Sequence, residues 1–271
     1  MTLAAKKLTA SEIRDGLRTQ TVGRKIEIHK EVESTNDLAR IRGVEGAPDG
    51  TLILADSQIA GRGRHGRRWH APPGSSILAS LILRHRLLAN QIGLPSIAGA
   101  TAIAAAIRKL TNLDAAIRWP NDVLIRGKKL SGVLTELEYD QERQPFLVMG
   151  FGVNVNTILT EFPQELQASA TSLRVETGTA FSRVAVIQSI LHRLEEYYLH
   201  LKNGEVATLI ARANTLSATI GSEVQVQTAF KIIEGKDEGI DQDGGLLIRD
   251  EHGCVRKFLV GEVIHTEECR S

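Results

Sequence analysis

The chain has 271 residues, enough for one large domain with a small appendage and for a substantial core. Its 42% hydrophobic and 24% charged content is that of an ordinary globular protein, and 33 basic against 32 acidic side chains exclude a chain-wide field for collecting nucleic acid. Cys254 and Cys269 are too few for a disulfide framework or a four-ligand metal site, the opening MTLAAKKLTASEIRDGL lacks a signal-peptide core, and no run reaches the ~20 apolar residues of a membrane span, so a soluble, cytoplasmic protein is expected.

Residues 9–19 predict a short helix: Thr9 and Glu12 have capping-box spacing, and Ile13 and Leu17 repeat four apart. KIEIHKEV at 25–32 alternates as a half-buried strand, and Ser34-Thr35-Asn36-Asp37 then supplies helix-starting residues. A turn at Ala47-Pro48-Asp49-Gly50 leads into the strand TLILADSQ, which delivers the chain to GRGRHGRRWH at 61–70. SSILASLILR reads as a strand buried on both faces, and LPSIAGATAIAAAIRKL as an alanine-rich, closely packed helix. The strands IRW and DVLIR follow, a Gly127-Lys128 turn opens KLSGVLTELEY, FLVMGFGVNVN makes another apolar strand, and two helices fill 183–217. Helices set between strands and hairpins predict an α+β fold, a mixed sheet carrying helices rather than a βαβ array. From about 220 the texture changes to short alternating strands separated by Gly and Asp turns, which suits a small β-barrel, so the expected domains are 1–219 and 220–271.

The basic loop is the local anomaly of a balanced chain. Glycines 61, 63 and 66 let successive N–H groups approach an anion, while Arg62, Arg64, Arg67 and Arg68 add planar donors for phosphate or carboxylate. Neither the P-loop spacing nor a dinucleotide-binding βαβ unit is present. A solvated loop explains the arginines equally well, but Trp69 offers a face on which a planar base can stack. In RWPNDVLIRGKKLSG, Pro120 fixes a turn, and Asn121 and Asp122 stand at the mouth of a strand. Lys129 begins the next apolar strand; directed inward it needs an anionic partner, and directed outward it is an ordinary strand-end lysine. Asn154 and Asn156 share one side of a strand whose glycines permit close approach of a ligand, or else are ordinary strand-end amides.

Taken in order, GRGRHGRRW, RWPNDV, KLSGVLTE and GFGVNVN closely resemble the catalytic core of the biotin protein ligases. The GRGRxGRxW pattern is matched at every fixed position, and the resemblance runs from Ser34-Thr35-Asn36 through DSQIAGRG to the terminal GIDQDGGLLI and VGEVI. It implies the class II synthetase-like biotin/lipoate ligase fold with a C-terminal SH3-like β-barrel. It also implies an enzyme that makes biotinyl-5'-AMP from biotin and ATP with Mg2+ and passes biotin to one lysine of a biotin carboxyl carrier protein, such as an acetyl-CoA carboxylase subunit. No metal held by protein ligands is expected.

By the same resemblance, biotin lies against Ser34, Thr35, Asn36, Gln58 and Gly132, with Arg62, Gly63 and Arg64 wrapping its reacting end. Lys129 reaches the carboxylate and α-phosphate, Arg64, Arg67, Trp69, Asn121 and Asn154 hold the nucleotide, and Asp122 orients or deprotonates the incoming lysine; Arg62, Lys129 and Asp122 are the catalytic candidates. His65 and Arg68 are expected in solvent. The family commonly has Lys before WPND where this chain has Arg118, which keeps the charge. About 25 residues precede the first strand, too few for the three-helix DNA reader of repressor members, so no DNA binding is expected. The resemblance admits either a monomer or a homodimer pairing sheet edges. The nearest rival is a lipoate ligase or octanoyltransferase of the related fold, whose long acyl chain needs an apolar tunnel where Gln58 and Ser34 offer polar groups; a nucleic-acid binder using the loop is a second.

Overall fold

A computed structural model describes residues 7–85, 91 and 93–265. Residues 1–6 and Cys269 lie outside them. Thr9 caps the first helix, α1 (Ala10–Asp15), its hydroxyl accepting the Glu12 N–H, and Gly16 ends it four residues before the expected boundary. A seven-stranded sheet follows, made of β1 (Ile26–Val32), β2 (Thr51–Gln58), β3 (Ser76–Leu83), β4 (Ala115–Arg118), β5 (Asp122–Ile125), β6 (Lys128–Tyr139) and β7 (Pro145–Asn154). Its order is β1-β2-β3-β7-β6-β5-β4, with β1 and β2 parallel and every other pair antiparallel, a mixed sheet as expected.

The two faces of this sheet differ. Leu81, Ala79 and Ile77 of β3, Met149, Phe151 and Val153 of β7 and Val133 of β6 point to one face and join the main core. That face is covered by the alanine-rich α3 (Leu94–Thr111) and by α5 (Arg183–Lys202), with α6 (Val206–Thr215) beside them. Small residues let α3 approach closely: a Cβ on Gly99 would meet Val133 and the Met149 sulfur at 3.0–3.3 Å. On the other face α2 (Thr35–Val44) covers only one end, where Ala39 packs with Ile53, Ile82, Phe146 and Val148 in a second, smaller core. The other end of that face is left for a cavity.

A short helix, α4 (Leu173–Thr177), which was not among the expected elements, precedes α5; Ser172 caps its start and Gly178, at φ 74°, its end. The C-terminal strands β8 (Glu223–Gln227), β9 (Ile232–Ile240), β10 (Leu246–Arg249), β11 (Val255–Phe258) and β12 (Glu262–His265) form a five-stranded antiparallel sheet, order β11-β10-β9-β8-β12. Val224, Val226, Ile240, Leu246, Ile248 and Val263 of this sheet belong to the same apolar interior as α3 and α5. Trp119 is the seam: it is 4% exposed, and its indole N–H donates to the Gly244 carbonyl at 3.0 Å. Among the described residues no helix is long and apolar enough to cross a membrane.

Candidate active site

The open end of the sheet face is floored by glycines. Strand alternation brings Gly132 of β6 opposite Gly152 of β7, and Leu78 and Ser80 of β3 opposite Gly152 and Gly150. Above this floor lies a cavity of about 310 Å³. All fourteen candidate residues line it: Ser34, Thr35, Asn36, Gln58, Arg62, Gly63, Arg64, Arg67, Trp69, Asn121, Asp122, Lys129, Gly132 and Asn154. Asn156 lies apart, because its side chain is spent on the backbone of Phe181, donating to the carbonyl at 2.9 Å and accepting the N–H at 2.8 Å.

At one end the N-terminus of α2 supplies a polar chain. Gln58 Oε1 accepts the Thr35 backbone N–H at 2.7 Å and the Thr35 hydroxyl at 3.0 Å. Ser80 Oγ lies 2.8 Å from Thr35 Oγ1 and 2.6 Å from Asn36 Oδ1, and Asn36 Nδ2 donates to Glu136 at 2.5 Å. Close approach is possible because Gly150 has no side chain; a Cβ there would fall 2.0 Å from Asn36 Oδ1. Ser80 and Glu136 were not candidates from the sequence. Period-2 alternation from Gly150 and Gly132 is the signal that could have found them.

The basic loop forms a tight hairpin across the mouth, with Arg62 bridged to Arg68 and the Trp69 N–H donating to the Gly61 carbonyl at 3.0 Å. Of its glycines only Gly66 uses left-handed backbone, φ 72°, next to His65 at φ 55°. Arg62 reaches Asp37 on the first turn of α2 through two hydrogen bonds of 2.7 Å. These bonds hold the Asp37 carboxyl below the usual carboxylate range and raise the Arg62 guanidinium above its ordinary value. Arg64 donates to Asn121 Oδ1 at 3.3 Å and to the Gly261 carbonyl at 3.2 Å, and burial pulls its guanidinium below the usual arginine value. Arg67 pairs with Glu262 at 2.6 Å, so two arginines tie the loop to the C-terminal domain. His65, expected in solvent, is exposed but lies 3.5 Å from Glu262; Arg68 is exposed and donates to the Ile59 carbonyl at 3.3 Å.

Trp69 lies across Gly152, where a Cβ would meet the indole at 2.4 Å, and its Nε1 is buried without a partner. Asn154 donates from Nδ2 to the Thr171 carbonyl at 3.0 Å, while its Oδ1 is likewise buried and unpartnered. Such groups cost free energy unless a ligand or water meets them. Asn121 is held by the backbone of Val133, donating from Nδ2 at 2.8 Å.

The remaining charge comes from the β5–β6 hairpin. A bulge shifts the register between Val123 and Leu124, and Gly132 leaves room for Lys129 and Asp122 to meet at 2.6 Å. Lys129 therefore points inward, and the anionic partner its burial requires is Asp122, whose other oxygen lies 3.1 Å from Arg118. Arg118 also lines the cavity. The backbone of Lys129 is fixed by Ser169 and Thr171, its N–H donating to the Ser169 carbonyl at 2.7 Å. Among the described residues no cluster of three or more His, Cys, Asp or Glu is arranged to hold a metal ion.

The cavity is thus floored by glycines, ringed by Arg62, Arg64, Arg67, Arg118 and Lys129, and bounded on one side by Glu262 and Val263 of the C-terminal sheet. The Biotin/lipoate A/B protein ligase family matches residues 29–154, and the Biotin protein ligase C terminal domain matches 219–266. The Bifunctional ligase/repressor BirA of Bacillus subtilis (strain 168) is 36% identical over 257 residues, covering 95% of this chain and 79% of the relative. The Biotin--[acetyl-CoA-carboxylase] ligase of Mycobacterium tuberculosis is 34% identical over 260 residues, covering 92% of this chain and 94% of the relative. Among solved structures, the biotin protein ligase from Aquifex aeolicus in complex with biotin and ATP superposes with a TM-score of 0.78 at 31% identity, covering 89% of this chain and 98% of that one. The chain belongs to the biotin protein ligases, and it is an enzyme of the ligase class.

Proposed function

We propose that the protein activates biotin with ATP to biotinyl-5'-AMP and then transfers biotin to a lysine of a biotin carboxyl carrier protein. One observation carries this reading: the cavity joins a neutral polar end, built on Thr35, Gln58, Ser80 and Asn36, to a cationic end containing Arg62, Arg64, Arg118 and Lys129. Biotin has the matching halves. Its ureido ring offers N–H donors and a carbonyl acceptor, for which Ser34, Thr35, Asn36 and Gln58 are suited, and its carboxylate is the group that reacts.

In the first step a biotin carboxylate oxygen attacks the α-phosphorus of ATP and pyrophosphate leaves. Negative charge gathers on oxygens that repel one another, and fixed cations lower that barrier. Lys129 and Arg62 are assigned to those oxygens, with Arg64 between them and the nucleotide. The buried donor on Trp69 and the buried acceptor on Asn154 support placing the nucleotide over Gly152, with Arg67 and Asn121 beside it. Magnesium would arrive on the triphosphate oxygens; the cationic lining supports an ion carried by substrate rather than by a carboxylate cage. In the second step the carrier lysine, as its neutral amine, attacks the acyl carbonyl, AMP leaves as its phosphate anion, an amide forms and the nitrogen's excess proton passes to water or to the departing phosphate. Both Asp122 oxygens already face cations, which favours Asp122 as the group that orients Lys129 over a role as base. Gly132 serves both, by leaving the space in which they meet.

The proposed boundary falls between a catalytic domain, 1–219, and an SH3-like domain, 220–271, and the requirement for ATP and a carrier enzyme supports a cytoplasmic location. The deciding experiment is mass gain on a carrier domain incubated with the protein, dependent on both ATP and biotin, with isothermal titration of biotin against lipoate beside it. Gain with lipoate in place of biotin would move the assignment to the related acyl ligases.

A further inference from the structure

We infer that Asp37 is a positioning residue for Arg62, fixing that guanidinium over the cavity mouth from the first turn of α2. The inference rests on the proposed role of Arg62 at the reacting carboxylate and adds a residue to that machinery. The pair is bidentate: each terminal nitrogen of Arg62 donates to one oxygen of Asp37, both at 2.7 Å. A guanidinium has five N–H groups, so this pairing leaves Nε–H and one N–H on each terminal nitrogen for a substrate. Asp37 and substrate can therefore hold Arg62 together, which distinguishes a support from a competitor.

The support is itself anchored. Asp37 stands in the first turn of α2, where a carboxylate is favoured by the helix dipole, and the residue before it, Asn36, is fixed by Ser80 and Glu136. Glu136 Oε1 lies 4.0 Å from Arg62 Nη2, the nitrogen that also donates to Asp37 Oδ1. A polar chain thus runs from Gln58 at the inner end of the cavity, through Thr35, Ser80, Asn36 and Glu136, to Arg62 on the loop. An arginine on a glycine-rich loop has many rotamers to lose, and a bidentate partner on a helix removes most of them before substrate arrives.

The test pairs kinetics with a probe independent of activity. In biotin-dependent pyrophosphate exchange, Asp37→Asn is expected to lower kcat/KM for biotin about tenfold in the wild-type background and to change it less than twofold in an Arg62→Ala background, because the two side chains act as one unit. Asp37→Glu should recover a measurable part of the loss, and the melting temperature of Asp37→Asn should fall by only about 2–4 °C, the loss of one partly exposed ion pair at a helix N-terminus. In the absence of substrates, Asp37→Asn should also speed trypsin cleavage within 61–68. Equal losses in both backgrounds, or unchanged loop cleavage, would overturn the inference. Failure of wild-type enzyme to label a carrier with biotin would instead overturn the ligase reading, and the cleavage comparison would still decide whether Asp37 holds Arg62.

Discussion

At the level of single residues, the cavity depends on side chains that are absent as much as on those present. Gly132, Gly150 and Gly152 respectively admit the Lys129–Asp122 pair, the Asn36 amide and the Trp69 indole. Adding one methyl at Gly150 drives a Cβ against Asn36 Oδ1, and since Asn36 is held on both sides it has no free direction to move. Gly150→Ala is expected to cost about 1–3 kcal/mol of stability, as overpacking does. Thermal melting combined with biotin titration checks this; an unchanged melting temperature and affinity would mean that Asn36 relaxes freely. Lys129 is the opposite case, a cation held in place by Asp122, whose far oxygen lies on Arg118. Lys129→Ala should lower kcat of adenylate formation on the order of 10²–10³-fold with the fold intact, as read by pyrophosphate exchange and circular dichroism.

At the level of elements, three hairpin turns share one construction. Asp140, Asp241 and Asp250 each accept backbone N–H groups two and four residues ahead through Oδ1. Their Oδ2 atoms pair with Arg84, Lys257 and Arg256. The fourth residue of each turn has positive φ: Gly244 at 80°, Gly253 at 81°, and Arg143 at 58°. Arginine at that position carries a Cβ penalty that glycine avoids, so Arg143→Gly should raise stability by about 1 kcal/mol, measured as an upward shift in melting temperature; a downward shift would show that the Arg143 side chain contributes more than its backbone costs. The basic loop is held differently, by Asp37 on one side and by Glu262 and the Gly261 carbonyl on the other. Biotin with ATP is expected to slow trypsin cleavage in 61–70 relative to the free protein; equal rates would count against a loop that closes on the ligand.

At the level of the whole molecule, two histidines tie stability to pH. Burial lowers the imidazoles of His85 and His192 below their ordinary value, and His192 Nε2 accepts the Arg18 N–H at 2.9 Å, which requires a neutral ring. Each ring therefore binds fewer protons folded than unfolded. Their contribution is fully present above the unfolded imidazole value of about 6.5 and is lost as pH falls through the lower folded values. Melting temperature should decline on acidification from about pH 7.5 to about pH 5, and His192→Gln, which keeps an acceptor and removes a titration, should flatten part of that decline. A flat profile in the wild-type protein would contradict the assignment. Joining of the two sheets is also a property of the whole: the β8–β12 sheet shares its apolar interior with α3 and α5, and Trp119 and Arg64 donate to the carbonyls of Gly244 and Gly261 beside its strands.

Element types were legible in the sequence because periodicity and turn residues are local. Thr9 capping α1, the fully buried β3 and the alanine-rich α3 formed where their patterns lie. The fourteen candidate residues that line the cavity were picked out by the basic loop, the Ser34-Thr35-Asn36 and DSQ stretches and three further motifs, whose order resembles the biotin protein ligases. What stayed hidden was pairwise. Asp37 as the partner of Arg62, Ser80 and Glu136 as the support of Asn36, Glu262 as the anchor of Arg67 and Asp122 as the counter-charge of Lys129 each join positions distant in sequence or set by a bulge. By itself the sequence determined the family, the elements and the ring of cations, because those follow from residue type and spacing. Only the tertiary structure decided which carboxylate neutralises which cation, because that depends on strand order and register.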